Sequence, residues 1–313
     1  MFLVSRMFKK IGLITFLLVI GLSLLTGCQG QKREVNPASA GRAPESQVNQ
    51  AAGKAGSGEV VLTVKGSGVE HETKYNLDEL KSMTDALAGE CYSTVNNWPA
   101  KKFFVGKGVL VSQLLRKAGI KDEARTITVT AADGYNATLT REQLDEKRYC
   151  FPNLQKGSAE GAREVPAILA WEHQEGASDL SKAVGGNLRL LFGQKGMNDV
   201  VTAAYVKDVA TIEVSTAPPG RWDVVGAEPA PGKVKRGTGV VLSHPGLDRV
   251  KIYYTLDGST PDIKSLVYNP SATYFQPDLI KPIPVDKPVT IKAIVIGYGK
   301  HDSQVATFKY DVE

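Results

Sequence analysis

Cys28, Cys91 and Cys150 are the residues of this 313-residue chain with the widest chemical range. A deprotonated, reachable thiolate is a soft ligand for a transition metal. Two thiols in an oxidising compartment close a disulfide instead. Cys91 stands in Gly89-Glu90-Cys91-Tyr92-Ser93-Thr94-Val95-Asn96-Asn97-Trp98-Pro99 and reads as a cysteine just before a turn-rich, aromatic segment. Metal ligand, half of a disulfide and free buried thiol all stay open for it. The four histidines, His71, His173, His244 and His301, are dispersed without metal-ligand spacing. His173 follows Trp171-Glu172 at a strand end and reads as a surface residue. No nucleophile elbow, phosphate-binding loop or dinucleotide fingerprint is present.

Cys28 belongs to a different pattern. Arg6, Lys9 and Lys10 precede an apolar run over 11–25, which ends in Leu25-Thr26-Gly27-Cys28. A basic start, an apolar run and small residues read as a removed export signal, and the run is short for a spanning helix. The ending resembles a bacterial lipobox. That resemblance implies a lipoprotein signal peptide over 1–28, lipidation at Cys28, and a protein anchored at the cell membrane on its extracytoplasmic face. The acyl chains of one modified cysteine suffice for stable anchoring. Cys91 and Cys150 then remain as a disulfide candidate. Closing their loop of roughly sixty residues stabilises by on the order of 4 kcal/mol in the chain-entropy treatment.

Net charge is +5 and 42% of residues are hydrophobic, with no lysine or arginine block of the kind that binds nucleic acid. Residues 29–58 are rich in Gln, Ala, Gly, Ser and Pro and read as a flexible tether. The first domain, 59–216, reads as α+β and strand-rich. Strands are expected over 60–64, 126–130, 135–139, 167–171, 188–192 and 209–214. Asn76 with Glu79, and Thr140 with Gln143, have the spacing of helix capping boxes. Leu110, Leu114, Leu115 and Ala118 share one face of an expected helix over 109–118, with Gly119 as its stop.

Pro218-Pro219-Gly220, Pro229, Pro231 and Gly232 mark 217–235 as a linker, with Trp222 expected to dock on one of the domains. Residues 236–313 read as all-β. Val250, Ile252, Tyr254 and Leu256 alternate with Lys251, Tyr253 and Thr255, and Val289, Ile291, Ala293 and Val295 alternate again. Turns fall at Asp257-Gly258 and Gly297-Tyr298-Gly299. Such spacing predicts a small β-sandwich.

Tyr253-Tyr254-Thr255-Leu256-Asp257-Gly258-Ser259-Thr260-Pro261, Pro288-Val289-Thr290-Ile291-Lys292-Ala293 and Phe308-Lys309-Tyr310 resemble the chitobiase/β-hexosaminidase C-terminal module. The resemblance implies an accessory, immunoglobulin-like sandwich. Tyr253 and Tyr274 are its candidates for stacking on sugars. Asp257 and Ser259 read first as turn chemistry.

The first domain resembles the molybdopterin-binding domain of the sulfite oxidase family. Asp133-Gly134-Tyr135, Val165-Pro166-Ala167-Ile168-Leu169-Ala170-Trp171-Glu172, Gly185-Gly186-Asn187-Leu188-Arg189-Leu190-Leu191-Phe192-Gly193 and Tyr205-Val206-Lys207-Asp208-Val209 carry the likeness, with Gly106 to Leu115 upstream. In that family molybdenum is held by two pterin sulfurs and one cysteine thiolate. The resemblance implies Cys91 as metal ligand and Asn96 beside it. Arg189 and Lys207 are the substitutes for a phosphate-binding residue, and Trp98 and Pro99 belong to the pocket rim. The chain departs from the family in three ways. Ala204 precedes Tyr205 where a basic residue is expected. The spacing from Cys91 to Leu114-Leu115 is a few residues long. Ser5-Arg6-Met7-Phe8 has one arginine where cofactor-loaded relatives are exported through a twin-arginine signal.

A disulfide consumes the thiolate that molybdenum needs, so the two readings exclude each other. The expectation is a cofactor-free, molybdopterin-oxidoreductase-like domain that binds a small-molecule, glycan or protein ligand, with the sandwich as accessory. The alternative is an active molybdopterin-dependent oxidoreductase acting on a small substrate through Cys91.

Overall fold

Asn76 and Thr140 each start a helix as their spacing predicts. The Asn76 side chain accepts from the Glu79 backbone N–H, and the Glu79 carboxylate accepts from the Asn76 N–H. Thr140 and Gln143 repeat the arrangement. Two otherwise unpaired donors are satisfied at each helix start.

The computed structural model describes residues 58–96, 100–268 and 281–313. Cys28 and the signal, nearly all of the tether, Trp98, Pro99 and Tyr274 lie outside the described residues. No helix among the described residues is long and apolar enough to cross a membrane.

In chain order the first domain contains β1 (Leu62–Lys65), β2 (Thr73–Tyr75), α1 (Leu77–Ser82), β3 (Leu87–Val95), β4 (Lys101–Leu110) and α2 (Val111–Lys117). Then follow β5 (Thr126–Ala131), β6 (Asn136–Thr140), α3 (Arg141–Asp145), β7 (Tyr149–Cys150), β8 (Arg163–Glu164), β9 (Ile168–Glu175), β10 (Val184–Leu191) and β11 (Val209–Ser215). One sheet has the order β2-β1-β11-β5-β6, with β1 and β11 parallel. A second, antiparallel sheet has the order β10-β9-β4-β3. One apolar core joins them: Leu62, Val64, Ile127 and Ile212 from the first sheet meet Tyr92, Phe104, Ile168 and Leu191 from the second.

Two expectations for this domain change. The segment around Cys91 is a strand, paired with β4 residue by residue from Leu87↔Val109 to Val95↔Lys101. Its Tyr92, Thr94 and Val95 are strand formers, and the turn chemistry begins only after Val95. Val109 and Leu110 close β4, so the expected helix starts at Val111. A bulge between Lys107 and Gly108 marks the tight passage of β4 past β9. A Cβ at Gly108 would stand 2.0 Å from the Leu169 carbonyl oxygen.

The second domain contains β12 (Gly226–Glu228), β13 (Gly232–Val234), β14 (Thr238–Ser243), β15 (Val250–Thr255), β16 (Leu266–Tyr268), β17 (Ile283–Val285), β18 (Val289–Gly297) and β19 (Ala306–Val312). A three-stranded sheet, β12-β14-β17, faces a five-stranded one, β13-β19-β18-β15-β16. Val240, Leu242 and Val285 meet Ile252, Ala293, Val295 and Tyr310 between them. Residues expected as linker thus supply β12 and β13, because Pro229 and Pro231 turn the chain between two short edge strands. Trp222 docks on the sandwich core, edge-on to His244, with the Lys300 ammonium 4.7 Å from its ring centre.

The outer face of β15 is not solvated. Lys251 and Tyr253 are 3% and 1% exposed. The Tyr253 hydroxyl donates to the Asn198 carbonyl of the first domain at 3.0 Å. Tyr253 is therefore a buried contact between the domains and not a sugar platform.

Candidate functional site

Alternation along β3 puts Cys91, Ser93 and Val95 on one face of the second sheet and Tyr92 on the other. The segment following β7 covers the Cys91 face. Its Phe151 N–H donates to the Ser93 hydroxyl at 2.8 Å, and that hydroxyl donates to the Gln194 side chain at 2.7 Å. Tyr149 and Gln194 exchange two backbone hydrogen bonds. Val95, Phe151 and Leu154 form a small apolar cluster beneath.

These ties bring Cys150 to Cys91, with 4.0 Å between the two Sγ atoms and both thiols free. Cys150 is buried and Cys91 half-buried. Arg163 lies at the rim, ion-paired with Glu90, and donates to the Cys91 carbonyl. Contact with Cys91 draws the Cys150 thiol down against the opposing effect of burial, and Arg163 and Ser93 add to the lowering. Cys91 moves the other way, kept protonated by the hydrogen bond it shares with Cys150 and by burial. A thiolate against a thiol is the arrangement from which a disulfide forms on oxidation.

The other expected cofactor residues do not gather around Cys91. Asn96 closes the far end of β3, where its side chain accepts from the Ala100 N–H at 2.9 Å. Five residues of strand separate it from Cys91, roughly 17 Å at strand rise. Arg189 is 7% exposed and lays its guanidinium over the Phe104 ring, 4.7 Å from the centroid. Phe104 is the cross-strand partner of Tyr92, while Val105 is the partner of Cys91. Arg189 and the Cys91 thiol thus lie on opposite faces of the sheet. Lys207 is exposed. It acts with Lys102 and Arg189 in lowering the Glu175 carboxyl, where the Lys102 hydrogen bond is the largest influence. His173 Nε2–H donates to the Asn187 carbonyl at 3.1 Å, and burial lowers the imidazole pKa. Ala204 is buried at 1% exposure, and Tyr205 beyond it donates to the Phe192 carbonyl at 2.6 Å. Asn96, Arg189 and Lys207 thus stand apart from the Cys91 thiol, and the Arg189 Nε is buried without a hydrogen-bond partner among the described residues.

A second polar centre, unforeseen from the sequence, lies where the sandwich meets the first domain. Arg148 and Asp199 form a buried ion pair at 3.1 Å, with side chains 6% and 9% exposed. Arg148 also pairs with Glu146 and donates to the Gly193 carbonyl. The Gly297-Tyr298-Gly299 turn drives Tyr298 into this centre, where its hydroxyl accepts from Arg148 and donates to Asp199 at 2.8 Å. Burial opposes the Arg148 charge, but Tyr298, Asp199 and Glu146 outweigh it and raise the guanidinium pKa. Gln143 extends from its capping box to donate to the Gly297 carbonyl and accept from the Gly299 N–H. Arg148 ends the charged run Asp145-Glu146-Lys147-Arg148 and Asp199 follows the polar Asn198, so neither stood out in the sequence, and nothing in it linked them to Tyr298.

Comparison with known proteins follows the same division. The family described as oxidoreductase molybdopterin binding domain matches residues 57–222, a few residues past the expected boundary. The family described as Fn3 associated matches residues 240–310. No curated protein matches the chain. The solved sulfane dehydrogenase SoxCD from Paracoccus pantotrophus is similar at 12% identity and a TM-score of 0.33, over 80% of this chain and 77% of that one. The family match spans more than half of the sequence, and the chain belongs to the oxidoreductase molybdopterin-binding domain family.

Proposed function

We propose that this protein is a lipid-anchored extracytoplasmic lipoprotein whose molybdopterin-binding-type domain works without the cofactor. In this reading Cys91 and Cys150 are joined as a disulfide, the domain binds a ligand or partner, and the immunoglobulin-like sandwich is its accessory. The observation that carries the reading is the 4.0 Å approach of the two sulfurs beneath the Tyr149–Phe151 segment. Bond formation needs about 2 Å of further approach, the scale of a side-chain rotation. Both thiol protons leave, and two electrons pass to a disulfide oxidant of the extracytoplasmic compartment. The product has no thiolate to offer molybdenum. Ala204 in the place of a basic residue and the separation of Arg189 from Cys91 across the sheet support the same reading.

The second reading is an oxidoreductase with Cys91 as molybdenum ligand, and family membership favours it. Metal analysis of protein purified from its own host separates the two. The proposal expects molybdenum far below one atom per chain. Stoichiometric molybdenum overturns it.

A further inference from the structure

A cavity of about 410 Å³ lies beside the Arg148–Asp199–Tyr298 centre, walled by both domains. Cross-strand pairing sets Lys251 opposite Ile296 and Tyr253 opposite Ile294 on the sandwich side. Lys195, Asp199 and Val200 form the other wall. The volume lies in the range of small-molecule sites.

Lys251 is the residue that needs explaining. Lys251 is 3% exposed, and its ammonium donates to one acceptor among the described residues, the Leu247 carbonyl at 3.1 Å. An ammonium has three donors, and leaving buried donors unmatched is costly. Of the other cations lining the cavity, Arg148 is matched by Asp199 and Glu146, Lys195 by Glu146 at 2.8 Å and Arg249 by Asp248 at 3.9 Å, while Lys264 is exposed to solvent.

We propose that this cavity binds a small organic carboxylate, with the Lys251 ammonium as its anchor. The proposal deepens the ligand-binding reading given above by naming the place and the class of ligand. One carboxylate satisfies the free Lys251 donors in a charge-assisted contact. Ile263, Ile294 and Ile296 supply an apolar wall for a hydrocarbon body. Glu146, Asp199, Asp262 and Asp302 line the same cavity and oppose any anion, a compact dianion such as phosphate more strongly than a monocarboxylate. Burial lowers the free Lys251 amine to about 8, opposed by Asp248, and an anion beside it relieves that cost.

The test is titration calorimetry on the full chain in detergent, with hexanoate, hexanamide and inorganic phosphate as probes. Hexanoate is expected to bind saturably. Hexanamide, phosphate, and hexanoate on the Lys251→Met variant are each expected to bind at least about tenfold more weakly. Equal binding of hexanoate to wild type and variant, equal binding of hexanamide, tighter binding of phosphate, or no saturation by about 10 mM hexanoate each overturns the proposal. If Lys251→Met does not fold, Ile296→Trp fills the apolar wall instead. Loss of hexanoate binding then supports the site and retention overturns it. Molybdenum content measured on the same sample is independent: metal in the protein sinks the cofactor-free reading and leaves the carboxylate site standing.

Discussion

The Tyr298 hydroxyl, on the sandwich, donates to the Asp199 carboxylate of the first domain at 2.8 Å, and that carboxylate is also paired with Arg148. A group from one domain thus completes a buried ion pair in the other. The Tyr298 ring packs edge-on to Phe192 at 5.6 Å between centroids. The interface is therefore part of the first domain's core and not a loose contact.

Tyr298→Phe removes the hydroxyl and keeps the ring. The expected loss is about 1.5–3 kcal/mol, since the hydroxyl's charge-assisted hydrogen bonds to Asp199 and from Arg148 are both lost. Tyr298→Ala also opens a cavity and should cost about 3–5 kcal/mol. Urea denaturation measures both, and equal losses for the two variants would contradict the role given to the ring.

Arg148→Met leaves Asp199 as a buried charge without its cation. A loss of about 3–5 kcal/mol is expected. Adding Asp199→Asn should restore part of it, since the uncompensated charge is then gone. A double variant as unstable as the sum of the two single variants would rule out direct coupling.

Gly299 has φ +80, and a Cβ there would meet the Thr138 Cβ at 2.9 Å. Gly299→Ala strains the backbone and pushes the turn off the first domain. A destabilisation of more than about 1 kcal/mol is expected, seen as a lowered thermal midpoint. Gly258→Ala is the control, with φ +77 and its nearest neighbour at 4.0 Å. It should show the strain alone.

Lys251 is held near 8 in the fold, below the value of an exposed lysine. Its native pKa is depressed, so its contribution to stability is greatest above the unfolded pKa and falls as pH drops through the native one. At neutral pH the buried charge is a net cost. Lys251→Met without ligand is expected to raise stability at pH 7 by on the order of 2 kcal/mol, and by less at pH 10. Comparing the thermal midpoints at the two pH values checks the sign.

In the reduced protein the Cys150 thiol should ionise below the usual thiol range, because contact with Cys91 stabilises its thiolate. Cys91→Ala removes that contact and should move the midpoint upward, since burial then acts with less opposition. Ultraviolet thiolate absorbance against pH reads the shift, and an unmoved midpoint would contradict it.

Much of the fold was legible because it rests on local rules. Asn76 with Glu79 and Thr140 with Gln143 announced two helices through capping chemistry that acts within four residues. Thr126 to Thr130 announced a strand through simple alternation. The β3–β4 hairpin was missed because Gly89 and the Asn96 to Pro99 cluster drew attention to turns, while the pairing partner lay beyond them. Alternation set Lys251 and Tyr253 apart from Val250 and Ile252, but it reports which residues differ from their neighbours and not what covers the second face. The Arg148–Asp199–Tyr298 centre joins residues up to 150 positions apart. Only the docked domains bring it together. Cys91 and Cys150 were singled out by residue type, but their contact depends on the hydrogen bonds of Ser93, Gln194 and Phe151.

The central claim is that Cys91 and Cys150 form a closed pair. It is tested by alkylating the native protein under denaturing, non-reducing conditions and weighing the peptides that contain the two residues. The account predicts one disulfide-linked species with neither thiol alkylated, which separates into two alkylatable peptides only after reduction. Alkylated Cys91 without prior reduction would contradict it.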